Sequence, residues 1–129
     1  MDLPKNEAVF DFDAVGLTTG KKYDGQFTVV CILNMARKHA LEIEKTRLMA
    51  DFSNPTETLF GLATILANLR VRIVNSPEWW KQSSGGFQLM DEDVLVTLYD
   101  KVMEAEAKWR EALKAQAVKN ESPEAPAAS

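Results

Sequence analysis

The chain has 129 residues, of which 46% are hydrophobic and 26% charged, and its 15 basic and 19 acidic residues give a formal net charge of −4 at pH 7. This length suits a single domain with a hydrophobic core of its own, and the composition is that of an ordinary soluble globular protein. Because no run of basic residues is long enough to follow a phosphate backbone, the sequence argues against nucleic acid as a partner.

The cysteine count and the first residues exclude further classes of protein. Cys31 is the only cysteine, so the chain can form neither an intrachain disulfide nor a cysteine-based zinc site, and we expect a reducing compartment. The first residues, MDLPKNEAV, lack the basic and apolar regions of a secretory signal. The longest apolar stretch, residues 59–74, is too short for a membrane span and contains two arginines. These features predict a cytoplasmic protein without membrane contact.

The N-terminal part of the chain predicts a small antiparallel β-unit. Residues 8–12 alternate partly between apolar and polar side chains, and residues 26–30 are rich in β-branched and aromatic side chains. Turn signals lie between them at Gly20 and at Asp24-Gly25. Three further residues of this connection are interpreted as a solvated turn, with contact to a partner as the alternative: Lys21, Lys22 and Tyr23. Since two strands alone are marginal in water, the unit must pack against helices.

A first helix is predicted over residues 31–51, which contain neither glycine nor proline and are rich in good helix formers. Its apolar residues fall on two faces. One face includes His39 and Ile43, and the other includes Leu48 and Phe52. Two apolar faces predict that this helix is contacted on two sides, and Leu48 and Phe52 are therefore candidates for contact with a partner or a second copy.

The central helix is predicted to begin with Asn54 as its N-cap and Pro55 in the first helical position. Its apolar side chains recur at steps of three and four: Leu59, Leu62, Leu66, Leu69 and Ile73. Residues 71–74 also have strand character, but the spacing of the upstream leucines favours helix. Pro77 is expected to end the helix, which should form the centre of the core.

Residues 76–90 are predicted to form a loop, with the pair Gly85-Gly86 as its flexible joint. Trp79 and Trp80 lie in this loop, and Phe87 follows the glycines. Two interpretations of the tryptophans are open. They cover the core, or at least one of them binds a partner, with one ring pointing inward and the other lying near the surface. Five residues are thus the candidates for a protein interface: Leu48, Phe52, Trp79, Trp80 and Phe87.

The last helix is predicted to begin at Asp91, Glu92 and Asp93, acids that the positive end of a helix dipole stabilises. A calcium site at these acids would need six or more oxygen ligands and an enclosing loop, so the helix interpretation is preferred. The predicted fold class is therefore mainly α (α+β), with three principal helices, a small N-terminal antiparallel β-unit and a disordered C-terminal tail. Residues 1–117 form one α-rich domain, and residues 118–129, rich in Pro, Ala, Glu and Ser, form the tail.

The sequence predicts neither an enzyme nor a cofactor or metal site. His39 is the only histidine, and Cys31 lies eight residues before it, about 12 Å along a helix axis and too far for contact within one helix. Gly85-Gly86 is not followed by the lysine or further glycines of a phosphate-binding loop. No constellation of nucleophile, base and orienting group is present.

Four segments together resemble the tail assembly chaperones of long-tailed bacteriophages: GKKYDGQF, EIEKTRLMAD, LANLRVRIVNSPEWW and GGFQLMDEDVLVTLYDKVMEAEAKW. The resemblance extends from Phe10 to Trp109 and is one of layout. It consists of a small β-unit, central helices, a short segment with tryptophans, and a C-terminal helix before a loose tail. It carries no catalytic signature, and no functional residue is transferred from it.

The resemblance implies a role without catalysis in the cytoplasm of the host cell. Such a protein binds the long, helical tape measure protein, yields as tail tube subunits assemble, and associates with copies of itself. The family often makes a longer product by ribosomal frameshifting near the end of the short form. Helix-in-groove recognition is the expected mode of binding. The alternative interpretation is a structural adaptor or connector that stays in the finished particle.

Overall fold

The computed structural model of the protein describes residues 5–50 and 56–121, with side chains described as far as Val118. Over this part of the chain an antiparallel three-stranded sheet packs against four helices. The elements in chain order are β1 (Glu7–Val15), β2 (Lys22–Val30), α1 (Met35–Met49), α2 (Glu57–Arg72), β3 (Ile73–Asn75), α3 (Glu78–Gln82) and α4 (Glu92–Glu121). The predicted fold class, mainly α with a small N-terminal antiparallel β-unit, is confirmed.

The strands β1 and β2 form a regular hairpin that is longer than the sequence predicted. They pair without a break from Glu7 opposite Val30 to Val15 opposite Lys22. The prediction of a turn at Asp24-Gly25 is wrong, because Gly25 lies within β2 opposite Phe12. Its φ is +141°, and a Cβ there would stand 2.6 Å from the ring of Pro77, so only glycine fits.

The third strand, β3, was not predicted. It pairs with β2 on the side opposite β1, so the strand order is β1-β2-β3 and β1 is an edge strand. The prediction that the central helix continues to Pro77 is therefore wrong, because α2 ends at Arg72. The strand character of residues 73–75 prevails there, since pairing with β2 gives their backbone groups hydrogen-bond partners.

Two helices begin later than the sequence predicted, because a different residue provides each N-cap. Asn34 accepts a hydrogen bond from the backbone N of Arg37 at 2.9 Å, so α1 begins at Met35 and Cys31 lies outside the helix. Thr56 accepts from the backbone N of Leu59 at 3.1 Å and caps α2. The predicted cap, Asn54, lies outside the described residues, as does Pro55.

The core lies between the sheet and the helices α2 and α4. Phe12 and Phe27 contribute from the sheet, and Leu69 from α2. Four residues of α4 are buried at helical spacing: Val94, Leu95, Leu98 and Val102. The helix α4 continues to Glu121, past the predicted end of the domain at residue 117, because residues 114–121 keep good helix formers. The remainder of the predicted disordered tail lies outside the described residues. Within the described part of the chain, every helix is too short or too polar to cross a membrane.

Arg72 is a buried charge that joins three elements. Its guanidinium donates a hydrogen bond of 2.6 Å to the carbonyl oxygen of Cys31, just after β2, and forms an ion pair of 3.1 Å with Glu106 on α4. Because Arg72 is only 6% exposed, the loss of Glu106 would leave the guanidinium in the core without a counter-charge. This network holds the end of α2 against α4.

Asp91 is the most connected polar residue of the described chain, and its side chain is completely buried. Its carboxylate accepts hydrogen bonds from the backbone N of Thr18 (2.8 Å), the backbone N of Thr19 (2.9 Å), the hydroxyl of Thr19 (2.5 Å) and the hydroxyl of Tyr23 (2.7 Å). A Cβ at Gly16 would overlap this carboxylate. Asp91, which the sequence predicted to stabilise the start of its own helix, therefore binds the β1–β2 turn instead. Tyr23, interpreted from sequence as part of a solvated turn, is buried by the same contacts.

The hydrogen bonds hold the pKa of Asp91 at about 2, below its ordinary value of 3.8, and the hydroxyl of Thr19 contributes most. Burial acts in the opposite direction, and the hydroxyl of Tyr23 and the two backbone amides add to the lowering. The bond to Asp91 raises the pKa of Tyr23 in turn. The carboxylate is thus stabilised in its charged form by donors that lie about 70 residues away in sequence.

We predict that Asp91 makes the folded state sensitive to acid. Since its pKa is lower in the folded than in the unfolded chain, its contribution to stability is complete above about pH 4 and is lost as the pH falls to about 2. The free energies of unfolding of the wild type and of Asp91→Asn should therefore converge over this range in urea titrations. The control is Asp100→Asn at an exposed position, and its free energy of unfolding should run parallel to that of the wild type over the same pH range. A constant difference between wild type and Asp91→Asn from pH 7 to pH 2 would contradict the assignment.

Candidate protein-binding site

An apolar groove, here called the leucine groove, opens between α1, α2, the start of α4 and the chain that follows α3. Its volume is about 190 Å³. The helix α2 provides four apolar residues at steps of three, one and three, namely Leu59, Leu62, Ala63 and Leu66, and α1 adds Leu48. The start of α4 and the chain before it add Gly86, Phe87, Leu89, Glu92 and Leu95. Glu92 is the one charged residue in this lining, and the others are apolar or glycine, so the groove is suited to apolar side chains rather than to a polar ligand.

A tight turn after α3 shapes one side of the leucine groove. Ser84, Gly85 and Gly86 all have positive φ, at 57°, 63° and 85°. The carbonyl oxygen of Trp80 accepts a hydrogen bond of 3.0 Å from the N of Gly85, and the hydroxyl of Ser83 accepts one of 3.1 Å from the N of Gly86. The glycines predicted to form a flexible joint thus form a hydrogen-bonded turn. This turn requires positive φ angles, which glycine adopts without steric cost. Beyond the turn, Phe87 points outward and is 56% exposed.

The two tryptophans lie on the short helix α3 rather than in a loop. Trp80 is 5% exposed, and its ring meets those of Phe27 and Trp79 edge to face, at centroid distances of 6.1 and 6.2 Å. Trp79 is partly buried against Phe12, Tyr23 and Phe27, and its Nε1 donates to the carbonyl oxygen of Asp24 at 2.8 Å. Both rings belong to the core, because the short helix holds them against the sheet.

The structure brings together two of the five predicted interface residues. Leu48 and Phe87 both line the leucine groove. Trp80 lies below the groove, with its ring against Gly86, so its side chain is not accessible to a partner in this fold. Trp79 packs on the sheet, and Phe52 lies outside the described residues. Sequence reasoning missed Leu59 and Leu62 as surface residues, because it assigned every leucine of the central helix to the core.

The residues considered for catalysis lie apart from the leucine groove. Cys31 is 1% exposed, and burial raises the pKa of its thiol, which keeps the sulfur protonated and a poor nucleophile at neutral pH. His39 is exposed on α1. Among the described residues, no group of three or more His, Cys, Asp or Glu side chains is placed to hold a metal ion.

Comparison with known proteins gives no match to a family model, to a curated protein or to a solved structure. The interpretation of the leucine groove therefore rests on its own geometry and on the residues that form it.

We predict that two glycine-to-alanine changes shift the free energy of unfolding in opposite directions. In Gly86→Ala the new methyl would stand 2.7 Å from the ring of Trp80 at a positive φ, and we expect a loss of about 1–3 kcal/mol in the free energy of unfolding. Gly61 lies inside α2 with open space around it, so Gly61→Ala should gain about 0.5–1 kcal/mol. Chemical denaturation measures both. Equal effects of the two changes would show that the turn does not need glycine at position 86.

Proposed function

We propose that the protein is a tail assembly chaperone of a long-tailed bacteriophage, which acts without catalysis in the host cytoplasm by binding the tape measure protein. The leucine groove is the observation that carries this proposal. It is open to solvent, bordered by helices and mainly apolar, and Phe87 is exposed at its side. These are the properties that recognise the apolar face of an amphipathic helix.

The size of the groove favours a protein client over a small molecule. Its volume of about 190 Å³ is below the roughly 300–1,000 Å³ that is typical of small-molecule sites. A helical client could instead place one or two apolar side chains between Leu48 and Phe87 and extend beyond the groove at both ends. A long helical protein would offer such side chains repeatedly along its length.

The openness of the groove also suits a client that must be released. The turn before Phe87 fixes the backbone at this position, while the ring itself is exposed. The ring therefore adds apolar contact area without enclosing the client in a deep pocket. Binding through few contacts leaves modest affinity, because each association also loses translational and side-chain freedom. Tail tube subunits could then displace the chaperone as they polymerise. Self-association into a ring or spiral would allow many copies to cover one client.

The resemblance of residues 10–109 to the tail assembly chaperones supports the same function, with the β-unit, the central helices and the C-terminal helix in the same order. A structural adaptor would have comparable surfaces but a different fate. Fractionation separates the two functions: a chaperone occurs in infected lysate and is missing from purified virions. Recovery of the protein from virions in stoichiometric amounts would favour the adaptor.

We predict that Phe87→Ala weakens binding to a helical fragment of the tape measure protein by about 2 kcal/mol, as expected for an aromatic side chain that enters an interface. The free energy of unfolding should change by less than about 0.5 kcal/mol, because the ring is 56% exposed in the free protein. Isothermal titration calorimetry and urea unfolding measure the two quantities.

Phe60→Ala is the matched control for this experiment. Phe60 lies on α2, is 55% exposed and does not line the leucine groove. Its loss should leave the affinity nearly unchanged. If both variants bind the fragment as the wild type does, or if Phe60→Ala weakens binding as much as Phe87→Ala, the groove is not the client site.

A further inference from the structure

A second surface of the protein, formed by the free edge of β1, remains outside the proposed function. In the described part of the chain, β2 is the only strand that pairs with β1. The N of Gly16 donates to the O of Lys21 at 2.9 Å, which continues the register of the hairpin. Because hydrogen-bonded and non-hydrogen-bonded pairs alternate along an antiparallel ladder, the odd-numbered residues of β1 direct their N–H and C=O groups away from β2.

Apart from its three acidic side chains, this edge lacks the features with which proteins normally prevent edge pairing. The strand β1 has nine residues, and its sequence EAVFDFDAV contains neither proline nor lysine. Its pairing with β2 has no bulge. The other edge strand, β3, is only three residues long. A long, regular edge of this kind is a template for an added strand.

The helix α4 forms the second side of a cleft along this edge, here called the edge cleft, with a volume of about 340 Å³. The lining consists of residues 7–10 of β1, Cys31 after β2, and five residues of α4, namely Lys101, Glu104, Ala105, Lys108 and Trp109. The position of Trp109 is fixed, because its Nε1 donates to the carbonyl oxygen of Lys5 at 3.0 Å. A strand edge beside a helix is a geometry that accepts an extended peptide.

The side chains of β1 specify the chemistry of the added strand. On the outer face of the sheet β1 exposes Glu7, Val9, Asp11, Asp13 and Val15. An added strand would place alternate side chains opposite these acids, where basic groups are favoured. Its other side chains would face the edge cleft, where Phe10, Ala105 and Trp109 offer apolar contact and the lysines of α4 are balanced by acids, with Lys108 3.2 Å from Glu104.

A second copy of β1 does not fit this edge. Any antiparallel self-pairing of five or more residues that keeps the outer face outward places two acids directly opposite each other, for example Asp11 against Asp11 or Glu7 against Asp13. Like charges in directly opposed positions destabilise a strand pair. The edge of β1 thus disfavours pairing with a second copy of β1 and favours pairing with a strand of opposite charge.

We propose that the edge cleft binds an extended segment of another protein by strand addition to β1, with basic and apolar side chains alternating along that segment. The site is separate from the leucine groove, and the proposal does not depend on the chaperone function. Backbone hydrogen bonds from the odd-numbered residues of β1 provide affinity, while the acids of its outer face select the sequence.

The probe is a synthetic peptide as long as β1, with lysine and valine alternating, and fluorescence anisotropy with the full-length protein measures its binding. We expect saturable binding, and none when the lysine backbone nitrogens are methylated, because methylation removes the N–H donors and leaves the charge. The variant Asp11→Lys, Asp13→Lys should bind about tenfold more weakly, since two attractive cross-strand pairs become repulsive.

The matched control is Glu42→Lys, Glu57→Lys, which alters the net charge by the same amount at exposed positions of α1 and α2. It should bind the peptide within about twofold of the wild type, because neither residue lies on β1 or lines the edge cleft and exposed charges outside a contact are screened by salt. The proposal is overturned if the wild type does not bind the peptide, if the methylated peptide binds equally well, or if the two double variants lose affinity to the same extent. Pairing of two β1 edges would appear as a dimer in sedimentation that the peptide does not dissociate, and would equally overturn it.

Discussion

The buried carboxylate of Asp91 is the interaction on which the arrangement of this protein depends. Its four hydrogen bonds, to two backbone amides and two hydroxyls, join the β1–β2 turn and the strand β2 to the residue that precedes α4. A buried carboxylate is stable only when its oxygen atoms are satisfied, so the turn and the helix fix each other. The position of α4 then determines both surfaces: its first turn borders the leucine groove, and its later turns border the edge cleft.

The aromatic residues divide between the interior and the surface in a way that points to binding. Trp79 and Trp80 pack with Phe12 and Phe27 and bury large apolar areas between the sheet and the helices. Phe87, in contrast, is 56% exposed beside the leucine groove. The two surfaces also differ in shape, since the leucine groove lies among helices and the edge cleft lies between a strand and a helix.

The sequence predicted those elements whose cause is local. Leucines in α2 and apolar residues in α4 recur every three or four positions, and both segments are helices in the structure. The strand β3 could not be predicted, because the leucine spacing before it favoured helix and only pairing with β2, more than 40 residues away, makes it a strand. The role of Asp91 was hidden for the same reason: three acids at a helix start are explained by the helix dipole, and nothing local indicates donors near residues 18–23. Of the candidate site, Leu48 was identified because it falls on a second apolar face of the first helix, and Phe87 because it follows the tryptophans and glycines of the predicted loop.

Amide hydrogen exchange at Thr18 and Thr19 tests the role of Asp91 most directly. Both amides lie in a surface turn that would ordinarily exchange fast, and the structure bonds both to the buried carboxylate. At neutral pH the account predicts that they exchange as slowly as the amide of Leu98 in the core of α4, and that Asp91→Asn accelerates them while Leu98 stays protected. Exchange of Thr18 and Thr19 in the wild type at the rate of an unstructured peptide would contradict the account.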